Sequence, residues 1–195
     1  MTKLLHSYLR TRRADLLGKL DGLSEYDARR PMTATGTNLL GLVKHVASVE
    51  LRYLGEVFGL PRGVELPWFA DDAGPDADLR VTADETREQI IGLHCLSAAH
   101  ADATIEALPL DAPGEVPWWT GERRHVTLPQ ILVHMGVETA HHLGHADILR
   151  ELIDRTAGQR PDDPNLSRRT PDEWAVHCAA IEAAARQASA AGDQP

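Results

Sequence analysis

Few cysteines, few aromatics and no long apolar run bound this chain before any motif is read. Its 195 residues hold two cysteines, Cys95 and Cys178, far apart and in no Cys-x-x-Cys motif. That argues against a disulfide framework or a thiolate zinc site, and for free thiols in a reducing compartment. Aromatic residues make up 5% of the chain. No stretch alternates apolar and polar positions, so no strand is expected. No apolar run approaches the roughly 20 residues that a membrane span needs. The opening MTKLLHSYLRTRRADLL has neither an apolar core nor a cleavage site, so no signal peptide is expected. Positive charge is also short: the formal net charge is −9, which disfavours non-specific nucleic-acid binding. These absences point to a cytoplasmic protein with no membrane or nucleic-acid partner.

What remains is helical. Hydrophobic residues reach 43%, enough for one domain with a sizeable core over residues 1–195. Apolar spacing and cap residues predict helices over about residues 2–20, 38–60, 82–108, 127–158 and 170–190, with a short turn at 24–30. This is an all-α pattern: a four-helix bundle with an additional C-terminal helix. Two long loops, 61–81 and 109–126, interrupt it. They carry Trp68 with Phe69, and Trp118 with Trp119. A long loop in a compact domain is a functional candidate. Trp68, Trp118 and Trp119 are candidates to line the mouth of a substrate pocket, or else simply to pin their loops. His6, Arg10, Arg12 and Arg13 read as a solvated face, and His94 and His100 as flank or surface positions.

The stretch 127–158, TLPQILVHMGVETAHHLGHADILRELIDRTAG, dominates the chain. Thr127 and Gln130 have capping-box spacing, and Gly158 reads as the stop. Ile131, Met135, Glu138, His142, His145, Leu149 and Leu152 recur at alternating steps of four and three, as an inward seam does. Its ends are aliphatic and its centre is polar. A buried polar group without a partner costs roughly 1–3 kcal/mol. A shared divalent ion is the most economical partner for Glu138, His142 and His145. On the second helix, His45 lies in line with Leu42 and Val49, so a facing helix offers a further imidazole. His141 also pairs with His145 at four-residue spacing. Two histidines and a carboxylate suit catalytic zinc, and also iron, nickel or manganese. The bland alternative is a hydrogen-bonded core, with Glu138 paired to an arginine.

The segments LLGLVKHVASVE and ILVHMGVETAHHLGHADILREL, and the Thr-Pro-Asp-Glu-Trp opening of the last helix, resemble the DinB/YfiT-like superfamily. Within it they are most similar to the DUF664 branch, which is mycothiol S-transferase-like. The resemblance implies a DinB-like four-helix bundle with a three-ligand metal site. It places His45, Glu138 and His142 as the metal ligands. The Glu at the first position of the (i, i+4) pair also resembles the mycothiol-dependent maleylpyruvate isomerase branch. His145 stands where many relatives carry Gln, and is a candidate fourth ligand or a group behind the ligands. The implied activity is S-transfer from a low-molecular-weight thiol to an electrophilic small molecule. A divalent metal, zinc before nickel or iron, would hold the sulfur. A homodimer is part of the same implication. The alternatives are a non-catalytic metal- or ligand-binding stress-response bundle, a metal-dependent hydrolase, or a purely structural bundle.

Overall fold

The computed structural model describes residues 2–158 and 163–192. Four of the long helices start at side-chain caps. Asn38 accepts the amide N–H of Gly41 at 2.8 Å and opens α3 (Leu39–Tyr53). Thr86 and Gln89 form a reciprocal capping box before α4 (Arg87–Ala107). Gln130 accepts the Thr127 amide at 2.7 Å before α5 (Leu128–Asp154). With α1 (Thr2–Gly18) these helices make the bundle, and the short α2 (Glu25–Arg29) leads into α3. α3 packs on both α4 and α5, and α1 on α5 and α4.

The chain divides into two compact units, Met1–Pro161 and Asp162–Pro195. The second holds α6 (Pro171–Gly192), whose start is the Thr170–Glu173 box that its sequence announces. The first holds the core. At one end of it Leu9, Leu54, Leu128, Ile131, Leu132 and Met135 are buried together. At the other Leu16, Leu39, Leu42, Val43, Leu143 and Leu149 do the same. Among the described residues no helix is long and apolar enough to cross a membrane.

Several boundaries differ from those read in the sequence. α3 stops at Tyr53 rather than near 60: Leu54 and Gly55 leave helical dihedrals (φ −101, ψ 4 and φ −118, ψ −80), and Gly59 takes a left-handed φ of +70. α4 starts at Arg87, behind its cap Thr86, rather than near 82, where Thr82 and Glu85 repeat the same capping spacing. The Glu85 side chain does accept the Thr82 amide, but only in an isolated turn, while its other oxygen pairs with Lys44. α5 ends in a left-handed Arg155, not at Gly158. Two three-residue strands form where none was expected: β1 (Pro113–Glu115) and β2 (His125–Thr127), antiparallel, with Gly114 opposite Val126.

Burial also corrects the surface assignments. His6, Arg13 and His94 are buried. Arg13 pairs with Glu50 and with Asp102, and Asp102 also takes His6 at 2.7 Å. On α5 the inward face carries Ile131, Met135, Thr139, Leu143, Ala146 and Leu149. His145 and Leu152, the latter 64% exposed, turn outward. Steps of four and three average 3.5 residues, so the row Glu138, His145, Leu152 drifts outward by about 20° per heptad on a straight helix, while Ile131 and Leu149 stay inside.

Candidate metal centre and cleft

His45 and Glu138 meet across the α3–α5 contact. Asn38 fixes the start of α3, so His45 lies two turns in, on the side facing α5. Glu138 and His142 sit one turn apart on α5, and four-residue spacing puts both on one face. His45 Nε2 is 3.3 Å from Glu138 Oε1, and His142 Nε2 is 3.2 Å from the same oxygen. The two rings stand edge to face with centroids 4.6 Å apart. One donor atom from each of the three residues falls within 4.8 Å of the others. The side chains are shielded but reachable: His45 is 15%, His142 14% and Glu138 29% exposed.

The donor set fits a divalent cation. Two imidazole nitrogens and a carboxylate oxygen converge on one point, as in three-ligand catalytic sites. His142 Nδ1 is buried without a hydrogen-bond partner, so that ring's polar commitment runs through Nε2. Hydrogen bonds from His142 and His45 hold the Glu138 carboxyl far below its usual range, against a burial penalty. Burial works against charge on His45. Its hydrogen bonds to Asp78 and Glu138, and their charges, nonetheless raise its pKa to about 9.

Asp78 is a part of this centre that the sequence did not reveal. Its Oδ2 lies 2.6 Å from His45 Nδ1. Burial is the largest single influence and raises its pKa, but the bond and charge of His45, a backbone hydrogen bond and the charge of Lys44 together keep the carboxyl below its ordinary value. An ionised carboxylate accepts, so Nδ1 donates.

The residues read from the sequence separate here. His45, Glu138 and His142 come together. His145 and His141 lie on the exposed side of α5, their rings 4.4 Å apart, and His145 is 5.6 Å from His142 by ring centroids. Trp118 lines a cleft of about 170 Å³ together with Val49, Arg52, Tyr53, His134 and Glu138. Trp119 lies behind it, its ring 5.3 Å from His134. Trp68 is not part of that lining. Its indole N–H donates to Ser48 Oγ at 3.0 Å, and Lys44 Nζ stands 4.1 Å over its ring.

Arg52, Tyr53 and His134 went unremarked in the sequence, although a signal was present. His134 precedes Glu138 by one turn, and Arg52 and Tyr53 follow His45 by two. Arg52 is stacked between Trp118, 3.8 Å from its guanidinium carbon, and Phe69 at 4.5 Å. The His134 ring lies 4.4 Å from that of Tyr53. Burial lowers the His134 pKa even though Glu138 pulls the other way.

No curated protein matches the chain at a significant level. The family model described as Mycothiol-S-transferase matches residues 4–155, which takes in the bundle, the converging donors and the cleft and leaves out α6. The chain therefore belongs to the mycothiol-S-transferase family.

Proposed function

We propose that this chain is a divalent-metal-dependent transferase that joins the sulfur of a mycothiol-type thiol to an electrophilic small molecule. In this reading His45, Glu138 and His142 are the ligands and zinc is the preferred ion. Nickel and iron suit the same donors. The carrying observation is the convergence of those three donor atoms within 4.8 Å, with Glu138 also forming one wall of the aromatic cleft. A thiol is a weak nucleophile near neutral pH because little of it is thiolate, and a divalent ion held by these three residues would supply the Lewis acidity that favours the thiolate.

The chain's own residues do the rest. Asp78 accepts the Nδ1 proton of His45 and so leaves Nε2 for coordination. His134, kept neutral by burial, stands on the cleft wall as the acceptor for the thiol proton. Val49, Tyr53 and Trp118 exclude water from the reacting atoms. Arg52, its Nε paired with Glu56 at 3.4 Å, presents its remaining guanidinium N–H groups to the oxygen-rich or anionic end of a substrate. A cleft of about 170 Å³ is smaller than the roughly 300–1,000 Å³ of whole-ligand pockets. It holds the reacting ends of thiol and electrophile, while the remainder of a mycothiol-sized molecule lies outside. The same reading carries a cytoplasmic location, where small thiols stay reduced, and the free, exposed Cys95 and Cys178 agree with it.

Metal content by mass spectrometry, wild type beside His142→Ala, tests the ligands. A single equivalent in the wild type and none in the variant is expected. Full loading of the variant would remove His142 from the ligand set. No metal in the wild type, even with zinc or nickel added, would overturn the metal reading. Loaded protein is then assayed for thiol consumption with an alkylating electrophile. Ester hydrolysis without thiol consumption would instead favour the hydrolase at the same ligands.

A further inference from the structure

The segment from residue 77 to residue 80 crosses α3 at one face, and three α3 residues receive it. Gly41 gives it room: a Cβ there would lie 2.0 Å from the Leu79 carbonyl oxygen. Lys44 grips it. Its Nζ donates to the Ala77 carbonyl at 3.2 Å and the Arg80 carbonyl at 2.8 Å, and pairs with Glu85 at 2.7 Å. His45 takes the Asp78 side chain between those two carbonyls. Gly41, Lys44 and His45 are spaced i, i+3 and i+4, so one face of one helix carries the space, the grip and the ligand.

Lys44 is 2% exposed. A buried ammonium is costly unless its donors are used, and those of Lys44 go to this segment and to Glu85, which follows it. A fixed lysine with such partners makes the segment's position a property of α3 rather than of a loose loop. The tight turn that closes it has the Leu79 amide donating to the Asp76 carbonyl at 3.0 Å, with Asp76 at φ +57.

We infer that Asp78 is a positioning residue for the metal centre, latched onto α3 through Gly41 and Lys44, and that it sets the His45 tautomer which leaves Nε2 free to coordinate. The inference rests on the proposed ligand set. Imidazole ligands that donate their second N–H to a carboxylate are better oriented and more basic, and losing that partner typically weakens metal binding by about 10–100-fold. The coupling is reciprocal. Whatever factor the docked segment adds to metal affinity, bound metal adds to the docking of the segment.

Zinc affinity by competition against a chromophoric chelator is the test, on full-length wild type, Asp78→Asn, Asp78→Ala and Asp76→Asn. The expected order is wild type, then Asp78→Asn, which keeps an acceptor, then Asp78→Ala at about 10–100-fold weaker. Stoichiometry stays unchanged, and Asp76→Asn matches the wild type. Equal affinity for Asp78→Ala and wild type overturns the inference while leaving the ligand set standing. So does a loss in Asp76→Asn as large as that in Asp78→Ala, since any nearby negative charge would then suffice. A wild type that binds no zinc overturns the ligand set, and this inference with it. If Asp78→Ala does not fold, the ¹⁵N shifts of His45 in the zinc-loaded wild type decide: a protonated Nδ1 supports the inference, and a protonated Nε2 overturns it.

Discussion

The hydroxyl oxygen of Tyr53 accepts the indole N–H of Trp118 at 3.2 Å, joining the last residue of α3 to the loop that follows β1. Tyr53 also lines the cleft, so under the proposed function its hydroxyl is available to a substrate there. Tyr53→Phe removes the tether of Trp118 and, if the cleft holds substrate as proposed, a hydroxyl at its wall. Stability should fall by about 1 kcal/mol. Transfer kcat/KM should fall on the order of 10-fold, mostly through KM for the electrophile. Steady-state kinetics at unchanged metal content check this, and an unaltered KM would remove Tyr53 from substrate binding.

Arg13 and Glu50 meet at 2.5 Å with side chains only 4% and 2% exposed, and Ser97 donates to the other Glu50 oxygen at 2.7 Å. Burial pushes the Glu50 carboxyl above its usual pKa despite the guanidinium beside it. Arg13→Met strands that carboxyl, at an expected cost of about 3–5 kcal/mol. Adding Glu50→Gln should recover a large part of the loss. Urea denaturation of the single and double variants measures it. A double variant as unstable as Arg13→Met would mean the loss is one of packing.

His94 makes stability fall with acidity. Burial first, and then the charge of Arg13, press its pKa from 6.5 to about 4. The unfolded chain takes up this proton near pH 6.5 and the folded chain only near 4, so between those values the unfolded state holds more protons. Stability is full above pH 6.5 and is lost as pH falls through the window, by up to about 3 kcal/mol from this residue. Comparing His94→Leu with wild type between pH 7 and pH 4 isolates the term. Wild type should lose stability relative to His94→Leu as pH falls through this window, and parallel curves would show that His94 does not have the depressed pKa.

Metal should add stability by mass action. At about 100 times its dissociation constant, zinc stabilises by about 2.7 kcal/mol. For a chain of this size that is a rise of roughly 5–10 °C in Tm. Scanning calorimetry with zinc and with chelator should show the rise and its reversal in the wild type. Neither should appear in His45→Ala. A rise that survives in the variant would place the zinc elsewhere.

How much of this could be read beforehand depended on whether the relevant partner is near in sequence. Asn38 with Gly41, Thr127 with Gln130 and Thr170 with Glu173 are separated by three residues, and all three helix starts were legible. The seam showed Glu138 and His142 because one turn of one helix contains both. Asp78 was invisible because 33 residues of chain separate it from His45, and nothing local in an Asp-rich loop marks one carboxylate among several. Arg13 looked solvated for the same reason, since Glu50 and Asp102 reach it from other helices. The strands are three residues long, too short for alternation to register.

The β1–β2 pairing has a consequence for descent. Gly114 lets β1 lie close against the turn after α3: a Cβ there would meet the Val57 and Phe58 side chains at 2.8 and 2.9 Å. β2 runs straight into α5. Whatever lies between Glu115 and His125 thus leaves and re-enters the fold at one clamped doorway. Val116 is buried in the core beside Leu128, Ile131 and Met135, so only the exposed tip, residues 120–123, can lengthen, shorten or change sequence without disturbing the helix that carries Glu138 and His142. Descent therefore has room for change at that tip, while Val116 stays tied to the core and Trp118 to Tyr53.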